Sequence, residues 1–155
     1  MPFYAERNGW KLFYYSAFQV SLDSLIEEVQ RLKEEQTDNF QYHPKTKLLK
    51  RILELVEDEI PSNPGAKEYA QGNTLGTSYR HWRRAKFLGR FRLFFRYSSD
   101  VKIIIYSWVS DQNTLRKAGS KTDPYAVFLR RLIAGDPPDD WETLLEFSED
   151  PEKDS

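Results

Sequence analysis

The sequence predicts an α+β domain in which helices pack against a small antiparallel β-sheet. Three observations carry that prediction. Apolar residues recur at helical spacing through residues 18–32 and again through 48–60. From Trp82 to Trp108 the period changes to two, in three runs separated by short turns. Beyond that meander, Asp123 followed by Pro124 reads as an N-cap and a first helical residue.

The elements follow in order. Gly9-Trp-Lys-Leu-Phe-Tyr-Tyr15 is aromatic with rough alternation, which suits a strand. Ser16 and Gln19 are spaced as a capping box, and Phe18, Leu22, Leu25, Ile26, Val29 and Leu32 line one face of a helix from about Ala17 to Glu35. After a polar stretch from Thr37 to His43, Leu48, Leu49, Ile52, Val56 and Ile60 mark a second amphipathic helix, stopped by Pro61 and Pro64. The two helices are expected to lie antiparallel. Residues 60–78 read as loop, broken by Gly65, Gly72 and Gly76, with room for one helical turn near Lys67 to Gln71. Trp82–Phe87, Arg90–Tyr97 and Val101–Trp108 then form the meander, joined at Leu88-Gly89 and Ser98-Ser99-Asp100. A third helix carries Phe128, Leu132 and Ile133 inward until Gly135, and a short fourth one covers about Trp141 to Phe147. Residues 1–147 are read as one domain, and the acidic residues 148–155, which lack apolar periodicity, as a frayed tail.

Composition narrows the function classes. A chain of 155 residues with 39% hydrophobic and 15% aromatic residues can bury a core without staples. Cysteine is absent, which excludes disulfides, thiolate metal sites and cysteine nucleophiles. Glu6 and Arg7 interrupt the N-terminus, and no run approaches the roughly 18 apolar residues of a membrane span, so a cytoplasmic protein without a membrane partner is expected.

Net charge is only -1, but it is unevenly distributed. Seven of the basic residues (Arg80, Arg83, Arg84, Lys86, Arg90, Arg92 and Arg96) fall between positions 80 and 96, where no Asp or Glu occurs. Alternation puts Arg84 and Lys86 on one face of their strand and Arg90, Arg92 and Arg96 on one face of the next. Phe91, Leu93, Phe95 and Tyr97 take the opposite face, against the helices, so the cations are expected on an open surface. Phe94 interrupts the cationic row and would offer a stacking platform for a base. Mixed charge on a wet sheet face is ordinary. An acid-free face instead brings like charges together, a cost that a bound polyanion relieves.

These segments resemble the YhaV toxins of the wider RelE-like class. The resemblance rests on Leu75-Gly76, Trp82-x-Arg84-x-Lys86-Phe87, Gly89-Arg-Phe-Arg-Leu-Phe-Phe-Arg-Tyr97, the Val101–Trp108 strand, Asp111-Gln-Asn-Thr-Leu-Arg116 and Lys121-Thr-Asp-x-Tyr125. It runs from about Asn8-Gly-Trp to Pro137-Pro-x-x-Trp141-Glu-Thr-Leu. It implies a RelE-like fold, with helices on a twisted antiparallel sheet, and cleavage of mRNA, usually linked to the ribosome. It also implies a PrlF-type antitoxin with an AbrB-like DNA-binding fold, so that operator DNA is reached only through the toxin–antitoxin complex. By position, Arg84, Lys86, Arg92, Arg116 and Tyr125 match the RelE-like site.

Metal-free RNA cleavage needs a deprotonated 2′-oxygen, neutralisation of the phosphorane's extra charge and protonation of the departing 5′-oxygen. Arginine forks grip phosphate oxygens, which suits Arg84 and Arg92. Lys86 or Tyr125, crowded by cations, would serve as general base, and Arg116 or Lys121 would stabilise or protonate the leaving group. Arg83, Arg90, Arg96, Lys121, Trp82 and His81 complete the expected RNA-binding set, Trp82 as a base-stacking candidate and His81 as a lesser acid–base candidate. Asp111 and Asp123 are too far apart in sequence for a metal pair, and Asp123 already has its capping role, so neither a metal nor a cofactor is expected. Two rival readings remain: a noncatalytic nucleic-acid-binding module, and a ParE-like topoisomerase inhibitor on the same fold.

Overall fold

The computed structural model describes residues 6–35, 38–111 and 121–149. Strands β1 (Glu6–Arg7) and β2 (Trp10–Tyr15) lead into helix α1 (Ser16–Glu35). The expected capping box is replaced by a link within the helix, with the Gln19 amide donating to the Asp23 carboxylate at 2.9 Å. Helix α2 (Pro44–Glu54) opens at His43, whose ring nitrogen accepts from the Lys45 N–H, so this histidine is an N-cap. It runs through a π turn (Leu55–Glu59) into α3 (Ile60–Ser62). Strands β3 (Arg83–Phe87), β4 (Phe91–Ser98) and β5 (Ile103–Val109) form the meander, followed by α4 (Pro124–Ile133), α5 (Trp141–Glu146) and β6 (Ser148–Glu149).

The strand order is β1-β2-β5-β4-β3, with β6 beside β2. Both meander pairings are antiparallel, but β2 pairs with β5 in parallel, from Lys11 opposite Ile103 to Tyr14 opposite Tyr106. The sheet of this α+β, RelE-like arrangement is therefore mixed rather than wholly antiparallel. No hairpin joins β2 to β5, so no tight turn dictates their relative direction. Ser148 and Glu149, read from sequence as the start of the tail, pair with Tyr15 and Tyr14. The rest of the acidic tail lies outside the described residues.

Two cores sandwich the sheet. Ala85, Phe87, Phe91, Leu93 and Phe95 pack with Leu22, Leu48, Ile52 and their neighbours on α1 and α2, as alternation predicts. The other face, expected open, holds a second core of Trp82, Phe94, Ile105 and Trp108 beneath Tyr125, Phe128, Leu132 and Leu144 of α4 and α5. Phe94 is fully buried, its ring stacked on Phe128 with centroids 4.2 Å apart. Burying such a ring contributes about 1.5–3 kcal/mol, so Phe94 anchors α4 and is not available to a base. Among the described residues no helix is long and apolar enough to cross a membrane.

Candidate active site

The β3–β4 hairpin places Lys86 opposite Arg92 and Arg84 opposite Phe94. The face that carries Arg84 and Arg92 meets the first turn of α4. There the Asp123 carboxylate caps the helix by accepting from the Tyr125 N–H, which fixes where Tyr125 emerges. The Tyr125 hydroxyl oxygen accepts from Arg84 Nε at 2.8 Å and from Arg92 Nε at 3.2 Å. The Arg92 guanidinium also lies 5.9 Å from the Tyr125 ring centroid.

Main-chain carbonyls hold the remaining parts of both forks. Arg84 Nη1 donates to the Glu68 carbonyl at 2.9 Å, and Arg92 Nη1 donates to the carbonyls of Gly89 and Phe91 at 3.0 and 2.8 Å. The Gly89 carbonyl is aimed by a turn in which Leu88 and Gly89 both adopt positive φ, 46° and 80°. Ser110, at the end of β5, accepts from the Arg92 N–H through its hydroxyl and donates its own N–H to the Arg92 carbonyl. Arg84 and Arg92 are only 7% and 6% exposed, against the expectation of an open cationic surface. They are buried because the second core seats α4 over them. Lys86 remains exposed.

Neither buried guanidinium forms an ion pair with a carboxylate among the described residues. Two like charges thus converge on the Tyr125 hydroxyl oxygen and a few carbonyl dipoles, which only partly replace water. An anion entering beside Lys86 would complete the charge balance. Among the described residues no three His, Cys, Asp or Glu side chains group to hold a metal.

The other sequence-predicted residues are dispersed. Arg83 lies on the opposite face of β3, where Nη2 donates to the Ala66 carbonyl at 2.8 Å and the guanidinium stands 5.5 Å from the Tyr97 ring centroid. Strand alternation puts Arg83, one residue before Arg84, on that face. Arg90 is exposed in the hairpin turn, over the Phe91 ring. Arg96 sits between the rings of Trp82 and Trp141, at 5.5 and 5.4 Å, and donates to the Asp139 carbonyl. Burial pulls its pKa down against the upward pull of Asp139 and Asp140. Trp82 is fully buried and donates its indole N–H to the Asp139 carboxylate at 2.7 Å, which removes it as a stacking platform. His81 Nε2 lies 2.6 Å from that same carboxylate oxygen. It therefore belongs to the Arg96 end of the sheet and not to the Tyr125 cluster. Lys121 is exposed, and its carbonyl accepts from Arg130. Arg116 lies outside the described residues. Asp139, which ties Trp82 and His81 together, and the Glu68 and Gly89 carbonyls were not legible as site components; a carbonyl leaves no side-chain signature in a sequence.

A family model described as a toxin with endonuclease activity, of a toxin–antitoxin system, matches residues 12–149. The chain belongs to the YhaV toxin family. It is 43% identical to the ribonuclease toxin YhaV of Escherichia coli strain K12 over 97% of its own length and 99% of that relative. Identity and coverage are the same for the toxin YhaV of Escherichia coli O157:H7. No solved structure matches.

Proposed function

We propose that this chain is a metal-independent endoribonuclease, an mRNA interferase, that cleaves by attack of the ribose 2′-oxygen on the adjacent phosphorus. The reading rests on one observation: two buried guanidiniums share the Tyr125 hydroxyl, and among the described residues no carboxylate pairs with either of them. Arg84 and Arg92 hold the non-bridging oxygens and stabilise the charge that grows on the phosphorane. Lys86 and Tyr125 are the proton-transfer groups beside them. One takes the proton from the 2′-hydroxyl and the other returns a proton to the 5′-oxygen as the P–O5′ bond breaks. The products are a 2′,3′-cyclic phosphate and a free 5′-hydroxyl. An antitoxin of the PrlF type, with an AbrB-like fold, is the proposed inhibitor.

End-labelled RNA incubated with purified protein in excess EDTA tests this. Cleavage is expected to persist with cyclic-phosphate and 5′-hydroxyl ends, and a 2′-deoxy substitution at the scissile nucleotide is expected to block it. Products with 5′-phosphate ends, or activity abolished by the chelator, would overturn the mechanism.

A further inference from the structure

β3 ends the sheet, so its outer edge faces α2 and the π turn across a groove of about 380 Å³. Four cations line the groove, Arg51, Lys67, Arg84 and Lys86, along with two acids, Glu59 and Glu68. Arg84 belongs to both sites. Its Nε holds Tyr125 while Nη1 reaches the Glu68 carbonyl in the groove wall, so the groove begins where the Tyr125 cluster ends.

The charges in this groove are unequally satisfied. Glu59 is held by both Nη atoms of Arg51, which keeps the Glu59 carboxyl below its ordinary pKa. Lys67 and Lys86 are exposed and form no ion pair among the described residues. What remains unneutralised is therefore mainly positive. Arg84 and Lys86, two residues apart on one strand, stand about 6.6 Å from each other along the edge. Tyr69, the one aromatic among the described residues lining the groove, is buried with its ring edge-on to Phe95. Among the described residues nothing exposed there stacks a base, so the groove suits sugar-phosphate backbone.

We infer that this groove between β3 and the π turn binds the backbone of single-stranded RNA flanking the scissile phosphate, independently of base sequence. The inference rests on the cleavage reading above. Lys67 supplies an added phosphate contact, and the Arg51–Glu59 pair tunes the groove, since Glu59 repels the strand and restrains Arg51.

The test measures binding of a short labelled single-stranded RNA to the Tyr125→Phe protein, with further changes at Lys67 or Glu59, over a range of salt. Both added positions are exposed, so circular dichroism should match the parent. Lys67→Ala should weaken binding severalfold, alike for several base sequences, and lower the slope of log affinity against log salt by about 0.7. Glu59→Gln should tighten binding. Polyglutamate serves as the acidic-peptide probe. RNA affinity unchanged in both variants, or changes confined to polyglutamate, would overturn the groove assignment. Wild-type protein assayed in parallel separates the two claims. If it cuts RNA while the variants bind as the parent does, only the groove inference fails; if it leaves RNA intact, the cleavage reading itself fails.

Discussion

Arg92 and Arg96 face the same side of β4, four residues and roughly 13 Å apart, yet their surroundings are opposite in kind. Arg96 is enclosed by two indole faces and a carbonyl, beside a carboxylate that accepts from Trp82 and meets His81. Its charge is already accommodated. Arg92 shares one phenolic oxygen with a second guanidinium and otherwise meets carbonyls. Among the described residues that end offers its two guanidiniums no carboxylate, whereas the Arg96 end stitches α5 to the sheet. A row of cations on one strand therefore divides into a site and a brace according to what each cation is given as a partner.

The largest expected effects lie at the Arg92 end. Tyr125→Phe and Arg92→Ala should each lower the rate of RNA cleavage by about 10²–10³-fold, read from single-turnover assays on labelled RNA. Because Arg92→Ala also relieves repulsion between two buried cations, its melting temperature should stay near the wild-type value. At the other end the pattern reverses. Arg96→Ala removes two cation–π contacts and should cost about 1–3 kcal/mol in chemical denaturation, with cleavage retained within about twofold. Asp139→Asn should cost about 1 kcal/mol by weakening the hold on Trp82, and His81→Ala less than about 0.5 kcal/mol because that ring is exposed. Loss of activity in Arg96→Ala at unchanged stability would erase the distinction between the two ends.

The smallest effect is alkaline and sets the pH range for these comparisons. Burial pushes Tyr15 up to about 12, helped by its hydrogen bond to Asp136, and pushes Tyr69 to about 12 as well. Both pKa values are higher folded than unfolded, so the folded state favours the neutral phenols. Their contribution is complete below about pH 10 and is lost as pH rises toward 12. Thermal melts should therefore weaken over that window, and Tyr15→Phe should flatten the loss.

Much of this was legible in the sequence because period and punctuation agree with the fold. The α1 stripe, the Asp123–Pro124 cap and the meander turns all appear where spacing puts them. The convergence of Arg84, Arg92 and Tyr125 followed from strand alternation combined with the family resemblance. The second core was missed, although two signals pointed to it. Ile103–Val109 is apolar but for Ser107 and is buried throughout, as a strand covered on both faces should be. Phe94, read as a break in a cationic row, was the other. Arg51 entered the groove from a helix far away in sequence, and only tertiary packing could bring it there.

The central claim is that Arg84, Arg92 and Tyr125 act as one unit on the scissile phosphate. A double-mutant cycle between Arg92→Ala and Tyr125→Phe, measured as single-turnover cleavage of labelled RNA, tests it most directly. If they act together, the double variant should be within a few fold of the slower single variant. Losses that multiply, or single variants that cleave at the wild-type rate, would contradict it.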